Sequence, residues 1–214
     1  MGYEYKTNKK TNKGAIMGFD LTGMNPKNLH FQEPKRPDNL FDLPKEEQDK
    51  YFEKQNEYHN QSGTYFRNNV WWWRPLADYV LRFTKVIPEE QQESWGYNDC
   101  TEISQEDAEM ISQQLDHLIK TGHCKSYAVQ FERIRKKIEK QNDKVEKELD
   151  KFCKSVEKKL GKTNLAPNDF PKEDKKKWDS IYEKKNHNGS YPFSVDNVKE
   201  FSEFCRNSGG FTIG

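Results

Sequence analysis

Three consecutive tryptophans lie within a short block of arginines and asparagines, and this block carries the clearest binding chemistry in the sequence. Its seven residues of interest are Arg67, Asn68, Asn69, Trp71, Trp72, Trp73 and Arg74. Indole rings stack on a nucleobase, guanidinium groups grip phosphate in a fork, and side-chain amides hydrogen-bond to the polar edges of a base. The block therefore predicts a binding site for a nucleotide-like ligand.

A purely structural interpretation of the same block is the main alternative. In it the tryptophans are core residues, Arg67 and Arg74 pair with acidic neighbours, and Asn68-Asn69 forms a turn. Pro75 suits the first turn of a helix to about Lys85, and the residues before a proline favour extended backbone. We therefore expect Val70–Trp73 to be extended, with Trp71 and Trp73 on one face and Trp72 on the other. At least one indole then needs a second surface, which another layer of the protein, a partner or a ligand would supply.

The sequence gives little support for a catalytic or a metal-binding site. The sequence has no G-x-S-x-G, no Walker A sequence and no H-E-x-x-H, and its five histidines are scattered. The four cysteines form no C-x-x-C pair, the usual half of a zinc site, so we expect no metal, no cofactor and free thiols in a reducing compartment. An enzyme is the less favoured class.

Charge is balanced overall and uneven along the chain. The net charge is +1, whereas residues 136–185 hold 16 Lys/Arg and 11 Asp/Glu, a local balance of +5. The two signs are interleaved as on a solvated helix surface, and arginines are few, so nucleic-acid binding is not favoured.

Composition and periodicity predict an α+β fold with one small core. Leu, Ile, Val and Phe make up only 41 of 214 residues, or 19%, but 28 aromatic residues offer large rings to bury. We expect a small sheet, including a strand near Phe19 and a terminal strand at 211–213, packed on helices 75–85, 104–121 and 194–207. Residues 14–124 and 186–214 would form this compact domain, and residues 1–13 a flexible tail.

Residues 125–185 are expected to form a charged helical extension. An apolar seam from Tyr127 to Leu160 recurs every three or four residues, which predicts one helix of some 35 residues ending at Gly161. A second helix follows Pro171, and the narrow seam favours a projecting helical hairpin or coiled coil. No apolar run is long enough for a membrane span and no signal peptide opens the chain, so no membrane partner is expected.

Several blocks of the sequence resemble a poorly characterised family of small proteins encoded by bacteriophages and prophages. These blocks are Gly-Phe-Asp-Leu-x-Gly at 18–23, Tyr-Phe-Arg-Asn-Asn-Val-Trp-Trp-Trp-Arg-Pro-Leu at 65–76, Tyr-Pro-Phe-Ser-Val at 191–195 and Ser-Gly-Gly-Phe at 208–211. Cys-x-x-Cys pairs found in many relatives are absent here, so metal binding is not carried over. The resemblance implies a phage protein in the host cytoplasm, with no established activity.

Three functional hypotheses follow from these observations. The first is a phage accessory protein that binds a nucleotide-like ligand or a host protein without turnover, as an anti-defence protein does when it sequesters a nucleotide signal. The second is an enzyme acting on a nucleotide. The third is a structural or assembly protein that forms a homo-oligomer through residues 125–185.

Overall fold

The fold is built on a four-stranded antiparallel sheet with helices packed on one face. The computed structural model describes residues 18–214, so the predicted tail at 1–13 and the first residues of the predicted compact domain, 14–17, lie outside the described residues. The strands are β1 (Gly18–Gly23), β2 (Tyr65–Asn69), β3 (Thr101–Ile103) and β4 (Phe211–Ile213), in the order β2-β1-β4-β3. The expected pairing of the terminal strand with the strand near Phe19 is confirmed, with Leu21 opposite Ile213.

Seven helices accompany the sheet in the part of the chain that the structure describes. They are α1 (Lys45–His59), α2 (Val70–Thr84), α3 (Glu89–Gln92), α4 (Gln105–Lys120), α5 (His123–Leu160), α6 (Lys172–Tyr182) and α7 (Val195–Asn207). The predicted α+β class is therefore confirmed. None of these helices combines the length and apolarity needed to cross a membrane.

Alternation along the strands decides which face of the sheet is buried. Phe19 and Leu21 of β1, together with Phe66 of β2, point into the core, while the residues between them point to the opposite face. The same core receives the apolar stripe of α4 and that of α7, whose Val198 and Phe201 are fully buried. Buried aromatic rings thus supply much of the apolar area of the core, which compensates for the low content of aliphatic residues.

Helix α2 begins five residues earlier than Pro75 suggested. The predicted extended segment Val70–Trp73 is helical, because the side chain of Asn69 accepts hydrogen bonds from the backbone N–H groups of Trp71 and Trp72 at 3.0 and 3.2 Å. An asparagine cap of this kind satisfies donors that otherwise have no partner in the first turn. Pro75 therefore lies inside the helix, in its second turn, and Arg74 is not at the helix N-terminus.

The segment after α2 is more ordered than the loop expected at 88–103. It contains α3, a short 3-10 helix at Glu93–Gly96 and strand β3. Trp95 of the 3-10 helix is 1% exposed, and its ring stacks on Trp73 with centroids 5.8 Å apart. This turn therefore places the large Trp95 ring in the core. Local turn signals in the sequence do not predict that placement.

Helix α5 extends over 38 residues, close to the expected length. Gly122 and Gly161 flank it with φ of +77° and +65°, and left-handed backbone of this kind favours glycine. The first turns belong to the compact core, because Cys124 is fully buried and Tyr127 packs against Phe193 at 4.9 Å.

Helix α6 runs antiparallel to the second half of α5. Lys159 binds Asp174 near one end of the pair, and Glu148 binds Lys184 near the other. The ring of Phe152 lies 6.4 Å from that of Phe170, in the segment that leads into α6, and Val145, Leu149 and Val156 of the α5 seam are buried. The apolar seam of α5 is thus covered by α6 over this half.

One polar residue, Asn142, interrupts the apolar seam of α5 and forms hydrogen bonds with the chain that returns from α6. Asn142 donates from Nδ2 to the carbonyl of Asn186 at 2.8 Å and accepts at Oδ1 from the N–H of the same residue at 2.9 Å. This two-way bond fastens the chain that returns from α6 onto the middle of α5. Close packing continues at Gly189, where an added Cβ would lie 2.9 Å from Ile138.

Candidate functional site

The three tryptophans occupy three different environments. Trp73 is fully buried, stacks on Phe19 with centroids 5.3 Å apart, and donates from its indole N–H to the carbonyl of Trp95 at 2.7 Å. Trp72 is half-buried, and Trp71 has 44% of its surface exposed. Because a helix turns about 100° per residue, three consecutive rings cannot share one face. Trp73 is therefore a core residue, and Trp71 is the tryptophan that faces solvent.

Trp71 is held beside Arg74 and Tyr191, and we call these three side chains the Trp71 surface. The rings of Trp71 and Tyr191 lie 5.0 Å apart with an interplanar angle of 49°. Arg74 donates from Nη1 to the Tyr191 hydroxyl at 2.7 Å, and its guanidinium carbon lies 5.8 Å from the centre of the same ring. An exposed indole, a phenol and a guanidinium are thus fixed in one place.

Two elements position this surface, and neither contains all of it. Trp71 and Arg74 are three residues apart, so the pitch of α2 brings them to one side of the helix. Tyr191 comes from the segment between α6 and α7, just after a 3-10 turn at His187–Ser190. Sequence reasoning missed Tyr191, although the Tyr-Pro-Phe-Ser-Val block that contains it was visible as a motif.

The remaining predicted site residues do not join the Trp71 surface. Arg67 lies on the face of the sheet opposite the core, with its Nε 3.4 Å from Asp20. Asn68 points to the helices and donates from Nδ2 to Oδ1 of Asn197 at 3.0 Å. Asn69 is occupied as the cap of α2. The seven predicted residues are therefore dispersed over the core, the open face of the sheet and the surface of α2.

Strand β2 carries a second polar group of side chains that sequence reasoning did not select. The Tyr65 hydroxyl donates to Asp20, and the Tyr65 ring stacks on His59 with centroids 4.4 Å apart. Partial burial and the neighbouring Asp20 carboxylate together raise the pKa of the Tyr65 phenol to about 12. Tyr65 therefore stays protonated at neutral pH and acts as a hydrogen-bond donor to Asp20.

Two of the four cysteines, Cys124 and Cys205, lie in the core. Within residues 18–214 no three His, Cys, Asp or Glu side chains are grouped as ligands for an ion. Cys124 and Cys205 are fully buried, and burial raises the pKa of both thiols. A thiol with a raised pKa is a poor nucleophile and a poor ligand at neutral pH, so these two cysteines act as small apolar core residues.

Comparison of the chain with protein-family models, with curated proteins and with solved structures finds no significant match. The blocks that resemble the phage family have definite places in the fold. Several of them have structural roles: Ser194 caps α7, Phe193 packs on Tyr79 at 5.1 Å, and Gly210 adopts a φ of +90°. At the Trp71 surface two of the blocks meet, with Trp71 exposed and with Arg74 and Tyr191 half-buried.

Proposed function

We propose that this chain is a binding protein that holds a nucleotide-like ligand without turnover, and that the Trp71 surface contacts this ligand. The observation that carries the proposal is that Trp71 is exposed yet fixed against Tyr191, with the Arg74 guanidinium at hydrogen-bond distance from the same tyrosine. A preorganised aromatic surface loses little conformational entropy when it binds, which favours affinity.

The chemistry of the three side chains suits a base and a phosphate. Trp71 offers a ring face for base stacking, which typically contributes about 1–3 kcal/mol per base. Arg74 lies one helical turn further along α2 and offers a charged donor to a phosphate oxygen. The three side chains include no carboxylate, thiol or imidazole, which are the groups that most often act as nucleophile or general base, and this supports binding without turnover.

A host protein is the second candidate for the ligand, and one observation favours it. Tryptophan, tyrosine and arginine are the residue types that dominate binding energy at protein interfaces, and the Trp71 surface consists of one of each. With 44% of its surface exposed, Trp71 can pack into a recess on a partner. In the phage setting that the resemblance implies, either ligand is compatible with a cytoplasmic accessory protein that counters host defence.

Calorimetric titration with mononucleotides, dinucleotides and cyclic dinucleotides tests the proposal. We expect one nucleotide class to bind, and Trp71→Ala and Arg74→Ala each to raise its Kd at least tenfold. Phe41→Ala is the matched control, because Phe41 is also exposed and lies under a guanidinium, that of Arg36 at 5.5 Å. Equal loss in the control, or no binding by any nucleotide, would contradict a nucleotide site.

Two further measurements separate the rival classes. Heating the complex and analysing the released ligand distinguishes binding from turnover, because an enzyme would release an altered nucleotide. Affinity capture from infected cells with wild type and Trp71→Ala tests the protein-partner candidate, since a partner of the Trp71 surface should be retained only by the wild type. Recovery of the same partner by both proteins would place its binding site elsewhere.

A further inference from the structure

Tyr191 is the member of the Trp71 surface that α2 does not carry, so its position depends on the segment that brings it there. This segment begins at Asn186 and is held on α5 at both of its ends. Asn186 bonds to Asn142 in the middle of α5, and the ring of Phe193 lies 5.7 Å from that of Phe131 nearer the start of the helix. Contacts with α5 therefore place the chain on both sides of Tyr191.

The segment has little slack between these two attachments. Phe131 and Asn142 are about 17 Å apart along α5 at the usual helical rise. The chain from Asn186 to Phe193 spans at most about 19 Å, because the 3-10 turn at His187–Ser190 shortens it. Since the two lengths nearly match, a shift of Asn186 is passed on to the residues that follow it.

Two asparagines fix the start of this segment. Asn142 donates from Nδ2 to the carbonyl of Asn186 at 2.8 Å and accepts from its N–H at 2.9 Å, which fixes the backbone in both directions. The side chain of Asn186 accepts from the N–H of Asn188 at 2.9 Å and so begins the 3-10 turn. The position of the turn therefore follows from the bond to Asn142.

The turn packs closely on α5 and leads directly to Tyr191. Gly189 is buried, and an added Cβ there would lie 2.9 Å from Cγ2 of Ile138, one helical turn before Asn142. The N–H of Tyr191 donates to the carbonyl of Asn188 at 3.4 Å, which ties Tyr191 to the turn. Contacts with α5 thus reach to within two residues of Tyr191.

The stability of α5 and α6 does not by itself require an asparagine at position 142. The position belongs to the apolar seam of α5, between Ile138 and Val145, where a leucine would continue the pattern. A polar residue in an apolar seam specifies one arrangement at a cost in stability. The arrangement that Asn142 specifies is that of the segment carrying Tyr191.

We propose that Asn142 is a positioning residue of the Trp71 surface, because its bond to Asn186 sets where Tyr191 lies. Its contribution to ligand binding rests on the proposed function, whereas its effect on Tyr191 does not. Without this bond Tyr191 samples more positions, and a ligand of the Trp71 surface has to order them at a cost in affinity.

Indole ¹H–¹⁵N NMR signals of the full chain test the positioning without any ligand. The signal of Trp71 is the one that disappears in Trp71→Phe, and the neighbouring Tyr191 ring contributes a ring-current shift to it. In Asn142→Leu we expect the Trp71 signal to move toward its position in Tyr191→Leu, while the signal of the core residue Trp73 stays in place. An unmoved Trp71 signal would overturn the proposal.

Leu149→Ala is the matched control, because Leu149 is another buried residue of the α5 seam and lies beyond the bond to Asn186. It should lower the melting temperature and leave the Trp71 signal in place. An equal movement of that signal in Leu149→Ala would show that any loosening of α5 and α6 disturbs Trp71, against a specific role of Asn142.

Asn142→Asp is the second variant, and it carries the test if Asn142→Leu does not fold. The aspartate keeps the shape of the side chain and the acceptor for the N–H of Asn186, but it loses the donor. Its Trp71 signal should therefore move part of the way. An unchanged signal in this variant would also contradict the positioning role.

Binding measurements separate this proposal from the proposed function. Mononucleotides, dinucleotides and cyclic dinucleotides are titrated into wild type and into Asn142→Leu, and one that binds wild type should show a Kd at least threefold higher in the variant. An unchanged Kd would overturn the positioning role and leave the nucleotide site standing. Absence of binding to wild type would contradict the nucleotide site alone, because the Trp71 signal still reports where Tyr191 lies.

Discussion

Arg74 and Tyr191 are 117 residues apart in the chain, yet Nη1 of Arg74 donates to the Tyr191 hydroxyl at 2.7 Å. Three features meet at this bond: helix α2, the segment that returns from α6, and the exposed ring of Trp71. Tyr191 also contacts Trp71, so the tyrosine holds both members of the proposed binding surface.

A double-mutant cycle measures how strongly this bond couples the two segments. We expect Arg74→Ala and Tyr191→Phe to show a coupling energy of roughly 0.5–1.5 kcal/mol, the usual contribution of one hydrogen bond. The measurement is denaturant unfolding of the two single variants and the double variant. Tyr191→Phe keeps the ring against Trp71 and so isolates the hydroxyl. Strictly additive effects would show that the bond contributes nothing in solution.

The tryptophans should separate into core and surface residues when each is replaced. Trp73→Ala should lower the free energy of unfolding by about 3–5 kcal/mol, because it empties a fully buried site. Trp71→Ala should cost about 1 kcal/mol, the contribution of one aromatic pair, and Trp72→Ala an intermediate amount. Thermal and denaturant unfolding check this order. An equal cost at Trp71 and Trp73 would make the whole block core and contradict the site.

Tyr65 should titrate later than an ordinary tyrosine. Its phenol has a pKa of about 12 in the folded protein, against 10.0 for an ordinary tyrosine, so the neutral form stabilises the fold. That contribution is fully present below pH 10 and is lost as the pH rises through about 12. The tyrosinate absorbance of wild type minus that of Tyr65→Phe gives the titration curve.

Asp20→Asn is the control for this titration. Removing the carboxylate should lower the pKa of Tyr65 toward 10, but not fully, because burial is the larger cause of the shift and remains. An unchanged titration in Asp20→Asn would exclude the hydrogen bond as a contributor.

Excision of the distal half of α5 together with α6 should leave the compact part folded. Asn142 and Asn186 contact each other directly, so a short Gly/Ser loop between these residues can replace 143–185. The buried residues inside that segment, including Val145 and Leu149, do not belong to the main core cluster. Proton NMR should retain the dispersed signals of the core.

The same excised protein addresses self-association. Light scattering that shows a loss of dimers with the fold retained would assign an oligomerisation role to 143–185. Collapse of the NMR dispersion would instead show that the compact part depends on this segment, against the expected domain boundaries.

Local signals were sufficient for most of the helices, whereas the only strand pairing predicted was that of the terminal strand with the strand near Phe19; the pairs β1–β2 and β3–β4 were not predicted. The stripe of α4, the Ser104 cap, the seam of α5 and the glycines at its ends are encoded within a few residues of where they act, because helix periodicity and capping are local interactions. The start of α2 was misplaced because two local signals competed. Pro75 favours extended backbone before it, but the side chain of Asn69 caps the helix five residues earlier.

Only the tertiary structure determines which side chains come together at the candidate site. The sequence determined that a tryptophan and arginine block exists and that one indole needs a second surface, because helical and strand periodicity both separate adjacent rings. Which ring stays exposed depends on the core that α2 packs against, and that core is assembled from β1, Trp95 and α7. Tyr191 reaches Arg74 from a returning chain that Asn142 fastens to α5 five residues earlier, at Asn186. Contacts between residues so distant in sequence leave no periodic signal, since they arise from packing and not from the backbone of one element.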